Sequence, residues 1–80
     1  MTYPDKILTE HLEFRKEFED FYNLYNILGQ QLGHLRYERV GRHMHWCLYL
    51  HQDIRMSPGC LQNVRDTQKR LINIRNKKLS

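Results

Sequence analysis

The stretch from Asp5 to Leu35 constrains the fold more than any other part of the 80-residue chain. Apolar and aromatic residues, with one histidine, recur there at alternating steps of four and three positions: Ile7, His11, Phe14, Phe18, Phe21, Tyr25, Leu28, Leu32 and Leu35. This spacing places them on one face of an amphipathic α-helix. Pro4 and Asp5 are typical of a helix start, and Gly29 or Gly33 is a candidate end. The sequence therefore predicts a long N-terminal helix.

Such a helix needs a large partner surface for its apolar face. A short chain buries a modest core, and oligomerisation is a common way to cover what remains. Large aromatic side chains strengthen this expectation because each buries a large area. We therefore expect a homodimer whose interface contains Phe14, Phe18, Phe21, Tyr25 and Leu28.

The middle of the chain, from His34 to Met56, supports two interpretations. A helical spacing of three and four connects Tyr37, Val40, Met44, Cys47, His51 and Ile54. A strand-like alternation instead separates Met44, Trp46, Leu48 and Leu50 from the residues between them. The helical pattern spans more residues and follows a helical neighbour, so we predict a second helix and keep the strand over 43–51 as the alternative.

A boundary at Ser57 and Pro58 opens the last segment. Serine at the cap followed by proline at the first helical position is a good helix start, and apolar residues continue on one side as far as Leu79. We therefore predict a single domain, residues 1–80, with an all-α fold of three helices. One helix is long, amphipathic and N-terminal, and the two that follow are shorter and basic.

Charge is unevenly distributed along this chain. Residues 1–28 carry six acidic and three basic side chains, a net charge of −3, whereas residues 29–80 carry ten basic and three acidic side chains, a net of +7. A basic segment of this density attracts polyanions, and nucleic acid first among them. Hydrophobic content of 40% and charged content of 28% fit a folded domain rather than a disordered one.

Arginine and aromatic residues are interleaved in the predicted second helix. Guanidinium groups bind phosphate, and an exposed indole offers a stacking platform for an unpaired base. The predicted third helix extends the positive surface. We therefore predict RNA binding, single-stranded or structured, by a set of residues in these two segments: Arg36, Arg39, Arg42, His43, Trp46, Tyr49, Arg65, Lys69, Arg70 and Lys77. Trp46 packed inside, with the arginines paired to the acidic flank of the first helix, is the structural alternative.

Metal binding and catalysis have weaker support in the sequence. His43, Cys47 and His51 recur every four residues, but ligands spread over two helical turns do not all reach one ion. Cys47 has neighbouring histidines that could activate its thiol as a nucleophile, but the sequence offers no third group to orient them. The two cysteines are too few for a disulfide framework. We therefore expect no enzymatic activity, no metal and no cofactor.

The remaining expectations concern biological role. The chain resembles small phage or plasmid accessory proteins in its general profile: it is short, has a net positive charge and carries no recognisable catalytic motif. It shares no sequence motif with them. That profile implies a regulator or inhibitor that sequesters RNA or antagonises a host toxin or defence system. The alternative is a helical protein–protein interaction module that inhibits a partner through the aromatic stripe. The N-terminus has no signal-peptide pattern and no segment has the length of a membrane span, so we expect a cytoplasmic protein, in the host cytoplasm if it is phage-encoded.

Overall fold

The computed structural model describes residues 3–79 and contains an antiparallel β-sheet followed by an α-helix. The elements are β1 (Lys6–Leu8), β2 (Leu12–Phe18), β3 (Phe21–Asn26), β4 (Gln31–Val40), β5 (His43–Leu50) and α1 (Pro58–Leu79). Each strand pairs with the next along the chain, so the strand order is β1-β2-β3-β4-β5. The edges of the sheet are therefore β1 and β5.

The predicted all-α fold with three helices is wrong. Strands β1, β2 and β3 and the first half of β4 occupy the stretch from Asp5 to Leu35, where we predicted one long helix. The hairpin of β4 and β5 occupies most of the segment predicted as the second helix. The alternation of Met44, Trp46, Leu48 and Leu50 was therefore the correct pattern, because alternate residues of a strand point to opposite faces of a sheet.

The helical spacing of the N-terminal stretch arises from short strands joined by turns. Leu12 and Phe14 in β2 are buried two positions apart, as are Tyr22 and Leu24 in β3. The intervening turn contains Asp20, whose φ of 66° reverses the chain. Each strand keeps a period of two while the turns reset its phase, so the combined series imitates steps of three and four.

The third predicted helix is confirmed as α1. The hydroxyl oxygen of Ser57 accepts a hydrogen bond from the backbone N–H of Cys60 at 3.3 Å, which is the expected N-cap contact before Pro58. The helix presents Val64, Thr67 and Leu71 to the sheet. Within residues 3–79, no helix has the length and apolar character that crossing a membrane requires.

The hydrophobic core lies between α1 and one face of the sheet. Cross-strand neighbours share a face, and the register aligns Ile7 with Phe14, Phe14 with Leu24, and Tyr22 with Leu35. These side chains are all nearly inaccessible to solvent. Burial raises the pKa of the Tyr22 hydroxyl, which donates to the carbonyl oxygen of Pro4. Tyr22 therefore stays neutral inside the core.

Polar side chains of α1 fix its position on the sheet at three points. Asn63 Oδ1 accepts from Thr9 Oγ1 at 2.8 Å and from the N–H of His11 at 2.9 Å. Gln68 Nε2 donates to the carbonyl oxygen of Trp46 on β5 at 2.7 Å. The third point is Arg75. These contacts join the helix to the β1–β2 connection, to the β5 edge and to the β2–β3 turn.

Arg75 makes three contacts through one guanidinium group. Its Nη1 donates to Tyr3 Oη at 2.9 Å and to Asp20 Oδ1 at 2.8 Å. Its Cζ lies 4.0 Å from the centre of the Tyr37 ring, within cation–π range. The group therefore connects the N-terminal segment, the β2–β3 turn and β4 to α1.

Gly33 lies opposite Leu50, where β4 pairs closely with the end of β5. A Cβ atom at this position would overlap the carbonyl oxygen of Tyr49 and lie 2.8 Å from Cα of Leu50. Both are backbone atoms, so rotation of a side chain cannot relieve the overlap. A β-bulge lies next to Gly33, because Leu24 pairs with Gly33 while Tyr25 pairs with Gln31. The close approach of β4 to β5 therefore requires glycine at position 33.

We expect Gly33→Ala to lower the free energy of unfolding by about 3 kcal/mol or to prevent folding, because the methyl group forces β4 away from β5. Urea unfolding followed by circular dichroism measures this. Gly59→Ala is the matched control, since its Cβ would lie 3.5 Å from the His11 ring inside the first turn of α1. It should leave stability unchanged or raise it by about 0.5 kcal/mol. Equal effects of the two substitutions would contradict the role given to Gly33.

We expect Arg75→Ala to destabilise the fold by about 2 kcal/mol, because it removes charged hydrogen bonds to Tyr3 and Asp20. Thermal unfolding of the purified protein measures the loss. Arg70→Ala is the control on the same helix: Arg70 is exposed and forms no ion pair with a described side chain. Its effect should stay within about 0.5 kcal/mol. A similar loss for Arg70→Ala would show that helix charge, rather than the Arg75 contacts, matters.

Candidate nucleic-acid interface

In the described part of the chain, nothing covers the face of the sheet that points away from α1. We call this surface the open face. Its side chains alternate with those of the core along β2 to β5 and are placed by the strand register: Arg15, Phe18, Phe21, Asn23, Tyr25, His34, Arg36, Glu38, His43, His45, Cys47 and Tyr49. It is unusually rich in rings and arginines for a face exposed to water.

Four rings on the open face form a continuous row across β2 to β5, which we call the aromatic strip: Phe18, Phe21, His34 and Tyr49. The ring centres of Phe18 and Phe21 lie 5.7 Å apart in an edge-to-face contact. The next two pairs are stacked, with centres 4.9 Å apart for Phe21 and His34 and 5.2 Å apart for His34 and Tyr49. The two outer rings are the more accessible, at 63% for Phe18 and 38% for Tyr49.

The arginines of the open face lie flat against tyrosine rings. Arg36 Cζ is 4.3 Å from the centre of the Tyr49 ring, and Arg15 Cζ is 4.2 Å from that of Tyr25. Each guanidinium also has a carboxylate beside it. Arg36 Nε lies 3.1 Å from Glu38 Oε2, and the Arg15 Nε atom contacts Glu13. The charge of these arginines is therefore largely balanced within the open face.

Tyr49 is held in place by its neighbours on β4. Its hydroxyl donates to Glu38 Oε1, while Arg36 covers one part of its ring and His34 stacks against it. A side chain held in one orientation loses little conformational entropy when another ring stacks on it. These contacts hold the Tyr49 ring in one orientation, while 38% of the residue stays accessible to solvent.

The far end of the β4–β5 hairpin is basic. Gly41 and Arg42 form the two-residue turn of this hairpin, and the φ of 65° at Gly41 fits a tight hairpin turn. Arg39 lies past Tyr37 on the α1 side of the sheet, and His43 lies on the open face. All three are exposed, and neither arginine forms an ion pair with another described side chain.

The other predicted cations lie on the outer surface of α1, away from the open face. They are Arg65, Lys69, Arg70 and Lys77, and all are exposed. Arg65 and Lys69 line a cleft between α1 and the β5 edge, to which His45 also contributes. The structure thus divides the predicted RNA-binding residues between the open face, the hairpin end and α1.

Trp46 does not provide a stacking surface. Its side chain is 3% exposed and packs between the sheet and α1, where the rings of Tyr3 and Tyr37 each lie 5.4 Å away. The alternation along β5 turns Trp46 to the core and Tyr49 to the open face. The prediction of an exposed indole is therefore corrected, and the structural alternative of a packed Trp46 is the one observed.

The predicted dimer residues do not share a surface. Phe14 is fully buried in the core of its own chain, so it is not available to a second copy. Phe18, Phe21 and Tyr25 lie on the open face, and Leu28 is 88% exposed in the β3–β4 turn. A homodimer stays a prediction, but its interface does not have the helical form that we expected.

Sequence reasoning missed the roles of Phe18, Phe21 and His34 in the strip. The first two were assigned to a dimer interface, and His34 received no binding role. Their proximity depends on the register, which pairs Phe18 with Phe21 and His34 with Tyr49. Alternation along a continuous β2 would have placed Phe18 on the same face as Phe14, and the register shift between Lys16 and Phe18 is what brings its ring to the open face.

The histidines and cysteines of the middle segment are distributed as follows. Within residues 3–79, no three His, Cys, Asp or Glu side chains are grouped as metal ligands. His43 and Cys47 lie on β5, whereas His51 follows the strand. Burial, with a further contribution from Glu38, raises the pKa of the Cys47 thiol. The thiol is therefore protonated at neutral pH, which is the opposite of an activated nucleophile.

His34 has a lowered pKa. Burial is the main cause of the lowered pKa, Arg36 and His51 lower it further, and Glu38 opposes them. Burial and nearby cations both disfavour the imidazolium form. His34 is therefore neutral at pH 7, and the centre of the strip is an uncharged ring.

We expect the stability of the protein to fall as the pH is lowered from about 7 to about 5, with His34 as one cause. The unfolded chain binds a proton at His34 near pH 6.5, whereas the folded chain binds it only at lower pH, so acidification favours unfolding. His34→Phe keeps a ring in the stack and removes this proton. Urea unfolding at both pH values should give a smaller difference for the variant, and an unchanged difference would contradict the assignment.

Comparison of the chain with protein-family models, with curated protein sequences and with solved structures found no match.

Proposed function

We propose that this protein binds single-stranded RNA by stacking bases on the aromatic strip. The observation that carries the proposal is the row of four rings across β2 to β5 on the open face. Single-stranded RNA is commonly recognised on surfaces where unstacked bases lie against aromatic side chains. Such stacking contributes about 1–3 kcal/mol per base and tolerates any base sequence.

The strip has the dimensions of a path for several bases. It crosses three strand spacings of about 4.8 Å each, so it extends roughly 14 Å across the sheet. Phe18 and Tyr49 offer accessible rings at its two ends, and Phe21 and His34 join them in the middle. A flat surface of this kind suits splayed bases, because bases inside a duplex are already stacked on one another.

Phosphate contacts complete the proposed interface. Arg39, Arg42 and His43 lie at the end of the hairpin that carries Tyr49, whereas Arg36 beside Tyr49 already has Glu38 as its ionic partner. Guanidinium groups bind phosphate oxygens through paired donors. The net charge of +4 assists the approach of a polyanion. We infer a role without catalysis, as a regulator or inhibitor that sequesters RNA in a cytoplasm.

A protein partner is the second candidate. The observation in its favour is the charge balance of the open face, where Arg15 and Arg36 each lie beside a glutamate. A neutral surface with exposed rings also suits a protein. The helical interaction module that we considered from the sequence is excluded by the fold, because the aromatic stripe lies on strands.

We expect Phe18→Ala combined with Tyr49→Ala to weaken RNA binding by about a hundredfold, since each lost stacking contact costs about tenfold. Fluorescence anisotropy with a labelled oligouridine measures the affinity, and circular dichroism checks the fold. Leu28→Ala is the control because Leu28 is more exposed than either ring and lies in the β3–β4 turn. It should bind as the parent does.

Salt separates the two candidates in the same assay. Affinity for oligouridine should fall steeply as salt is raised, since bound phosphates release counterions. Absence of binding by the parent protein at low salt would reject the nucleic-acid proposal. A protein captured from lysate by the parent, but not by the Phe18→Ala, Tyr49→Ala variant, would then favour the second candidate.

A further inference from the structure

The cleft between β5 and α1 differs from the open face in its charge. Arg65 and Lys69 line it from adjacent turns of α1, and His45 lines it from β5. No carboxylate is among its lining residues in the described part of the chain, and neither Arg65 nor Lys69 forms an ion pair there. On the open face, by contrast, the arginines are charge-balanced. Arg65 and Lys69 are therefore available to an oxyanion, as Arg39 and Arg42 are at the hairpin end.

His45 connects the two surfaces. The alternation of β5 places it in the same row as Cys47 and Tyr49 on the open face. The residue also belongs to the lining of the cleft, on the α1 side of the strand. Because β5 is an edge strand, no further strand separates the strip from the cleft. A strand that leaves Tyr49 and follows β5 to His45 crosses this edge at the cleft.

A buried donor also lines the cleft. Trp46 contributes to its wall, and the Nε1 of this indole has no hydrogen-bond acceptor among the described residues. Buried N–H groups in native proteins generally have a partner. Gln68, another lining residue, is fixed by its hydrogen bond to the carbonyl oxygen of Trp46. The wall of the cleft is thus held in position beside the two cations.

We propose that RNA stacked on the aromatic strip continues over the β5 edge, and that its phosphates lie in the cleft on Arg65 and Lys69. This inference rests on the proposed function and adds the path that the RNA strand follows beyond the strip. Bases contact the open face, whereas the backbone beyond Tyr49 contacts α1. Binding then depends on RNA length, because a short strand fills the strip and only a longer strand reaches the cleft.

The test compares two double substitutions that remove the same charge. Arg65→Gln with Lys69→Gln changes the cleft, and Lys6→Gln with Arg55→Gln is the control. Lys6 lies on the opposite edge strand, and Arg55 lies in the connection before α1. Each is measured with oligouridines of about 4 and about 12 nucleotides, near the two ends of the site sizes of small β-folds.

For the longer strand, we expect the cleft variant to lose about tenfold or more in affinity. The slope of its log affinity against log salt should become shallower by about 1.4, as two lost phosphate contacts require. The shorter strand should bind equally well to the parent and to the cleft variant. The control variant should keep the parent's dependence on length and salt.

Other results overturn the inference. Equal losses in the two variants would mean that general charge, not the cleft, attracts the strand. If the cleft variant lost as much affinity for the shorter strand as for the longer one, the short strand would already contact the cleft, contrary to the proposed path from the strip. An unaffected cleft variant, alongside weakened strip variants, would reject the path and leave the proposed function standing. Absence of RNA binding by the parent would reject both.

Discussion

The whole arrangement depends on the docking of α1 against one face of the sheet. A sheet has two faces, and within residues 3–79 α1 covers the face that carries Phe14, Tyr22, Leu24 and Leu35. Hydrophobic burial drives this contact, and Arg75 fixes its geometry through hydrogen bonds to separate parts of the chain. The opposite face must then tolerate water while carrying the alternate residues of every strand.

The open face meets that requirement by contacts among its own side chains. Rings stack on rings, and Arg36 and Arg15 lie across tyrosines, so much apolar area is shielded without a second layer. These contacts also orient the accessible rings of Phe18 and Tyr49. The groups that stabilise an uncovered sheet are thus the groups that would stack on bases. Phosphate-binding charge lies elsewhere, on the hairpin end and on α1, because carboxylates balance it on the open face.

Part of the fold could be predicted from the sequence and part could not. The start of α1 at Ser57 and Pro58 follows from capping chemistry among neighbouring residues, and the structure confirms it. The N-terminal stretch fits two patterns, because strands with a period of two, interrupted by turns, imitate a helical period. Sequence spacing alone does not separate these patterns. Pairing between strands does, and pairing is a non-local interaction.

The candidate site shows the same division. The sequence by itself determined that the second half of the chain is basic, that arginines and rings are interleaved there, and that residues 44–50 alternate. These are properties of composition and local order. Only the tertiary structure decided that Trp46 belongs to the core and Tyr49 to the open face, and that His34 stacks against Phe21 and Tyr49. The physical reason is that the side on which α1 packs, together with the strand register, decides which alternate residues are buried.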